Sequence, residues 1–335
     1  MKPKSIGILL LVTFCVACGG GSNSPTAPGL PSSSPTPTPT PTPSPTPTPL
    51  VLAPIPEGAG KLVKRMFLVG DTGYCPDLRG TREIAAYLRK DVTADDIIVL
   101  LGDLGYESEG FSNEIAQCLG EIYGDEFFTI IYPVLGNHEY YRTKAAFYFN
   151  YFKERAHPET NGYYAVLIGD SWLTLMLNSN SDYVDTSATS PQYRFVKDTL
   201  DAHPTRNVVA FWHHPVVSSG QNGDQSAMWD IWKLLVDRHA DVVVAAHDHL
   251  YERFGLLNRD RQPVSQTAGP AGTRFVIAGT GGALLYRFVT EKPGSEKRIP
   301  DKWGVLRLEL FENAYRWAFY STSGELLDTG AELCR

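Results

Sequence analysis

From position 66 onward, short apolar runs each end in a compact polar cluster. Met66-Phe67-Leu68-Val69 leads into Gly70-Asp71-Thr72-Gly73, and Ile97 to Leu101 into Gly102-Asp103-Leu104-Gly105-Tyr106. Ile130 to Leu135 leads into Gly136-Asn137-His138-Glu139, Val208 to Trp212 into His213-His214-Pro215, and Val242 to Ala245 into His247-Asp248-His249. Unbroken apolar runs of this length predict strands buried on both faces. Between them the spacing turns helical. Thr81 to Arg89 puts Ile84, Tyr87 and Leu88 on one face, and Gln192 to Ala202 and Met228 to Arg238 repeat the pattern. Tyr163 to Ile168 and Trp172 to Leu177 predict a strand pair around Gly169-Asp170. Phe275 to Ala278 runs into Gly279-Thr280-Gly281-Gly282, and Val305 to Leu310 with Tyr315 to Tyr320 predicts a hairpin about Glu312-Asn313. Strands alternating with helices imply an α/β fold. The polar clusters then fall just past the carboxyl ends of strands, where open α/β sheets hold their ligands.

The first 60 residues break this pattern. Lys2 and Lys4 precede an apolar stretch, Ile6 to Val16, that is short for a membrane span and suits an export signal. Cys15-Val16-Ala17-Cys18 followed by Gly19-Gly20-Gly21-Ser22 resembles a bacterial lipoprotein cleavage site, with Cys18 as the acylated residue. Cys15 stands where leucine is usual, and plain signal cleavage or a retained anchor are the alternatives. Prolines alternate with Thr or Ser from Pro35 to Pro49, which favours an extended spacer over a packed core. The expected organisation is a signal segment over 1–18, a linker over 19–60 and one folded domain over 61–335. The protein is expected to be exported and held by a lipid at a membrane, facing the periplasm or the cell exterior.

Net charge is −7, with 30 basic and 37 acidic residues, which argues against a broad nucleic-acid surface. The domain carries Cys75, Cys118 and Cys334. In an oxidising compartment Cys75 and Cys118 are one candidate pair, though spacing does not fix connectivity.

Taken singly, each polar cluster also suits an ordinary turn or helix cap. Their order carries more. Asp71, Asp103 with Tyr106 three residues on, Asn137-His138, His213-x-Pro215 and His247-x-His249 offer carboxylate, phenol, amide and imidazole atoms suited to two metal ions. Separations of 32, 34, 76 and 34 residues among Asp71, Asp103, Asn137, His213 and His247 fit successive strand-helix units opening at one sheet edge.

In these motifs the chain resembles the calcineurin-like metallophosphoesterases from about Met66 to the C-terminus. Gly-Asp-x-x-Tyr, His249-Leu250-Tyr251-Glu252-Arg253 and Gly279-Thr280-Gly281-Gly282 are similar to the purple acid phosphatase branch. The resemblance implies a four-layer α/β/β/α sandwich of two mixed sheets flanked by helices. It implies that Asp71, Tyr106 and His249 hold one metal, that Asn137, His213 and His247 hold a second, and that Asp103 bridges them through its two oxygens. A phenolate suits Fe(III), with Zn, Fe or Mn(II) as its neighbour. The implied reaction is hydrolysis of phosphate monoesters on small substrates by metal-activated hydroxide, with His138 at the leaving oxygen. A phosphodiesterase or nucleotidase of the same superfamily is the main alternative, its preference set by loops 106–128 and 181–192. A surface lipoprotein with a vestigial site is the remaining one.

Other residues get weaker expectations. His214 points elsewhere unless it assists catalysis. Tyr140 and Tyr141 line the mouth or pack, and Asp248 faces away or orients a ring. His157, His203 and His239 are solvated or capping. Ala246 replaces the family's glycine before His-x-His, where a tight turn would resist a Cβ. Ala210 replaces a usual valine and alters packing only.

Overall fold

Strand β1 (Leu62–Val69) becomes progressively buried along its length and delivers its last residues to the interior. The computed structural model describes residues 49–335 apart from 74–76, 78, 107–118, 142–143 and 265–271. The signal segment, Cys18, most of the proline-rich stretch, Cys75 and Cys118 lie outside the described residues.

β1 runs parallel to β2 (Ile97–Leu100), and β2 runs parallel to β3 (Ile131–Pro133). On the other side of β1 lie β11 (Gly304–Phe311), β12 (Ala314–Ser321) and β13 (Leu326–Leu333), all antiparallel. The second sheet has a parallel centre of β5 (Trp172–Met176), β6 (Asn207–Phe211), β7 (Val242–Ala245) and β9 (Thr273–Ala278). It is flanked by antiparallel β4 (Tyr164–Ile168), β8 (Tyr251–Leu257) and β10 (Ser295–Ile299).

Three buried clusters define four layers. Met66, Leu68 and Val99 of the first sheet meet Val209, Phe211 and Val244 of the second. The outer face of the first sheet packs Phe67, Ile98 and Leu100 against Ile84 and Leu88 of α1 (Arg79–Asp91), with α2 (Gly120–Phe128) and α3 (Ala146–Phe152) beside it. The second sheet packs Leu175, Val208 and Phe275 against α4 (Pro191–Ala202) and α5 (Trp229–Asp237). Each strand of the parallel centres is thus covered on both faces, which explains its unbroken apolar sequence. The fold is the two-sheet α/β/β/α sandwich that the family resemblance implied.

Local signals set the boundaries. Ser190 caps α4 by accepting the Tyr193 N–H at 2.9 Å, and Pro191 follows at the first helical position. β8, β10 and β13 escape the hydropathy pattern because charged residues sit inside them. Glu252 of β8 is fully buried, yet it accepts the Ser219 N–H at 2.9 Å and the Ser295 hydroxyl at 2.5 Å, so its burial is compensated. The folded unit also begins before position 61. Ala59 is buried against Phe311 and Ala314, and Ala53 donates its N–H to Thr329 Oγ1 at 3.1 Å. Among the described residues no helix is long and apolar enough to cross a membrane.

Candidate metal centre

The loops after β1, β2, β3, β6 and β7 converge at the carboxyl ends of the two parallel strand sets. Backbone hydrogen bonds stitch them together: Asp71 N–H to Gly102 O, Thr72 N–H to Asp103 O, and Ala246 N–H to His213 O. The approach is close. A Cβ on Gly136 would lie 2.2 Å from Asp103 Oδ1, and one on Gly102 would lie 2.5 Å from the Gly136 nitrogen. Asp71, Asp103 and His247 all hold positive φ, at 58°, 52° and 70°. Such strain in non-glycine residues persists only where surrounding contacts enforce it, and it concentrates at functional sites.

Each aspartate spends one oxygen on the scaffold and aims the other inward. Asp71 Oδ2 accepts the His247 N–H at 2.8 Å, while Oδ1 meets the Tyr106 hydroxyl at 3.0 Å. Asp103 Oδ1 accepts the His138 N–H at 2.9 Å, while Oδ2 lies 3.4 Å from the Tyr106 hydroxyl and 3.2 Å from His213 Nε2. Asp103 therefore offers a single oxygen, Oδ2, to both halves of the site. The expectation that its two oxygens would face one cation each meets an Oδ1 that already accepts the His138 N–H.

Tyr106 Oη also lies 2.8 Å from His249 Nε2. His249 Nδ1 sits 2.7 Å from the Leu284 carbonyl oxygen, and His213 Nδ1 sits 2.8 Å from that of Leu101. A carbonyl only accepts, so each Nδ1 carries a proton and each Nε2 points inward, the orientation that metal-binding imidazoles require. The His213 ring lies 5.1 Å from that of His247. Asn137 donates its amide N–H to Tyr141 Oη at 2.6 Å, leaving its buried Oδ1 with no partner among the described residues. His213 Nε2 is likewise buried without a hydrogen bond. Buried unpaired acceptors are rare and call for an explanation, and a cation supplies one.

Electrostatics point the same way. Asp71 and Asp103 are almost fully buried. Burial, the largest influence, pushes Asp71 upward, with Asp103 adding to it. Burial alone would also raise Asp103, but His213, then His138 and His247, hold it below the usual range. His213 is pushed up to about 9: Asp103 and Asp71 overcome the opposing effect of burial. Burial, then the carboxylates of Asp71 and Asp103, hold the Tyr106 phenol well above its ordinary value, and a cation among them would draw it down. Asp71, Asp103 and His213 form one potential metal-holding group, and His213, His214 and His247 form another.

Several expectations resolve differently. The His214 ring faces the site, 4.5 Å from that of His247, rather than pointing elsewhere. Tyr140 is packed: its hydroxyl accepts from Asn178 at 2.7 Å and its ring stacks on Tyr183 at 4.3 Å. Tyr141 is exposed and flanks the His138 ring at 4.7 Å. Asp248 turns away, accepting from Ser218 Oγ and from the Asn222 N–H, and so fastens the loop after His214. Ala246 avoids the feared strain. The positive φ falls on His247, and the Ala246 Cβ faces Gly70, where a second Cβ would lie 2.5 Å away. His157 stacks on Tyr164, and His203 and His239 follow the ends of α4 and α5. Cys334 is a free thiol.

The sequence passed over Glu139, Ser179 and Tyr286. Glu139 accepts the N–H groups of Asp103 at 3.0 Å, Leu104 at 2.8 Å and Gly136 at 2.7 Å. Its adjacency to Asn137-His138 was the one available signal. Tyr286 stacks on His249 at 4.0 Å and 10°, from a loop without a motif of its own.

The chain is similar to solved structures of known proteins. Yellow lupin purple acid phosphatase PPD1 superposes with TM-score 0.62 at 18% identity, covering 83% of this chain and 55% of that one. The chain therefore spans about half the length of the lupin structure. GAP50, the anchor in the inner membrane complex of Plasmodium, gives 0.60 at 16% identity over 82% of this chain and 90% of that one. PhoD gives 0.52 at 12% identity over 84% and 70%. At these identities the likeness is one of fold. No curated protein matches significantly. The calcineurin-like phosphoesterase family model matches residues 64–251, more than half of the chain and the whole span from Asp71 to His249, so this chain belongs to that family.

Proposed function

We propose that this protein is a binuclear-metal phosphoesterase that hydrolyses phosphate monoesters of small substrates, as purple acid phosphatases do. The observation that carries this reading is Tyr106, whose phenol oxygen lies 2.8 Å from His249 Nε2 and 3.0 Å from Asp71 Oδ1. A phenol spent on those partners suits a hard trivalent ion better than any packing role. In this reading Asp71, Tyr106 and His249 would hold Fe(III), Asn137, His213 and His247 would hold Zn, Fe or Mn(II), and Asp103 would serve both. Two such ions supply Lewis acidity toward phosphoryl oxygens and a lowered pKa for water.

The remaining chemistry belongs to the chain. His138 Nε2 lies 3.8 Å from Asp103 Oδ2, and its ring is held between Tyr106 and Tyr141 at 4.3 and 4.7 Å. That leaves His138 aimed at the centre and partly open to solvent, where it delivers a proton to the departing alcohol oxygen. Leu101 O and Leu284 O fix the inward Nε2 atoms of His213 and His249, so these rings need no reorganisation on binding. Export, and a lipid on Cys18 tethering the domain to a membrane, complete the proposal. They are supported by the sequence before position 25.

The test is turnover of monoesters, diesters and nucleotides by the metal-loaded protein and by Asp103→Ala. Monoester hydrolysis falling roughly a thousandfold or more in the variant, with the far-ultraviolet dichroism unchanged, is the expected result. Preference for diesters or nucleotides would replace the monoester assignment. An inert wild type would mean a vestigial centre.

A further inference from the structure

We infer that His214 is a substrate-contacting residue, a neutral imidazole whose Nε2–H is offered to a phosphoryl oxygen beside the His213–His247 half of the centre. The inference rests on the phosphoesterase reading and deepens it. It follows from counting hydrogen bonds at Ser179. That buried hydroxyl accepts the backbone N–H of His213 at 3.3 Å and of His214 at 3.0 Å. A hydroxyl has two lone pairs and one proton. With both lone pairs engaged, the proton goes to the third partner, His214 Nδ1, 2.8 Å away. Nδ1 is then the acceptor, and the ring proton sits on Nε2.

His213 and His249 are set the opposite way, because their Nδ1 atoms face carbonyl oxygens. The site therefore holds imidazoles of two kinds. Two keep their proton on Nδ1 and turn Nε2 to the centre, which suits a cation there, and His214 presents a proton, which suits an anion. One nitrogen from each of His213, His214 and His247 falls within 4.8 Å of the others. Spacing alone would admit a third ligand, but a protonated Nε2 has no lone pair to give. Among the described residues His214 Nε2 has no hydrogen-bond partner, and the ring is half-buried, so the donor stays open to an incoming group.

The backbone keeps it there. Pro215 confines His214 to extended conformations. Trp212 Nε1 donates to the His214 carbonyl at 2.9 Å. Ser179 itself is buried at the start of the loop after β5, so the orienting hydroxyl has little freedom. Phosphoryl oxygens carry charge in the bound ester and in the transition state, and a prepositioned donor stabilises both.

The tests separate a proton donor from a ligand and from a packing residue. Histidine side-chain nitrogen-15 shifts of the zinc-loaded full chain report tautomers directly. The expected pattern is Nε2–H for His214 and Nδ1–H for His213 and His249; Nδ1–H at His214 would overturn the inference. Metal content and calorimetric orthophosphate binding are then compared for wild type, His214→Ala and His214→Gln. Expected are unchanged metal content and a roughly ten- to hundredfold loss of phosphate affinity and kcat/KM in His214→Ala. Glutamine, which keeps an N–H near the Nε2 position, should recover much of that loss. Metal loss in His214→Ala would make the residue a ligand and overturn the assignment, as would unaltered phosphate affinity. Phosphate binding that depends on His214 in a wild type inert toward every ester would uphold this inference and defeat the phosphoesterase reading alone.

Discussion

Glu139 shows how much of the site depends on a residue with no chemistry of its own. Oε2 accepts from Asp103 and Gly136, and Oε1 accepts from Leu104. One carboxylate thereby locks the loop after β2 to the loop after β3. Burial, then the charge of Asp103, push it up to about 7 against the pull of those N–H groups. Glutamine in either amide orientation would set an N–H₂ against at least one backbone N–H. Glu139→Gln is therefore expected to lose about 1–3 kcal/mol of stability, read from chemical denaturation, and to lower turnover with it. Unchanged stability and turnover would mean the loops hold without it. The polar residues that the fold brings together were legible in sequence because each ends an apolar run and offers an atom type suited to a metal. Ser179, Tyr286 and the carbonyls of Leu101 and Leu284 were not. A carbonyl is common to every residue, and only the fold decides which one meets an imidazole.

At the scale of elements, apolar runs reported the buried parallel strands faithfully, and the polar residue ending each run reported the site. The signal failed for β8, β10 and β13, where Glu252 and Arg253, Glu296 to Arg298, and Asp328 respectively interrupt the pattern. Two of those charges are paired: Arg253 Nε donates to Asp328 Oδ2 at 2.7 Å. Backbone closeness was also invisible. Ala246 read as an intrusion because the vacant α-carbon of Gly70 facing it could not be seen. The same closeness yields a sharp expectation at Gly136, whose pro-Cβ position overlaps Asp103 Oδ1 and lies 2.4 Å from the Asp103 nitrogen. Gly136→Ala must displace Asp103. It should abolish or severely reduce metal uptake, measured by elemental analysis, while the far-ultraviolet spectrum stays near wild type. Full metal occupancy in that variant would show the two loops to be looser than this packing implies.

At the largest scale, strand-helix alternation implied the α/β class, and the resemblance to the metallophosphoesterases implied the layered sandwich. The pairing of the last strands around β1, and the seat of the C-terminus, required coordinates. Asp241, at the start of β7, accepts the Val208 N–H at 2.9 Å and the Arg335 N–H at 3.1 Å, tying the chain end to the second sheet. Burial raises its carboxyl from the ordinary 3.8 to about 6. An acid with a raised value holds its proton more tightly when folded. Its contribution to stability is therefore full below pH 3.8 and declines as pH climbs through about 6, by roughly 3 kcal/mol at most. The stability of wild type relative to Asp241→Asn should fall across that window in denaturant titrations. A difference independent of pH would place the Asp241 proton elsewhere.

The most direct measurement is anomalous diffraction from crystals of the metal-loaded protein, at the iron edge and at the edge of the second metal. Two peaks about 3.5–4 Å apart, flanking Asp103 Oδ2 with Tyr106 beside the iron, are expected. A single peak, or peaks away from Asp71, Asp103 and His213, would contradict the two-metal centre.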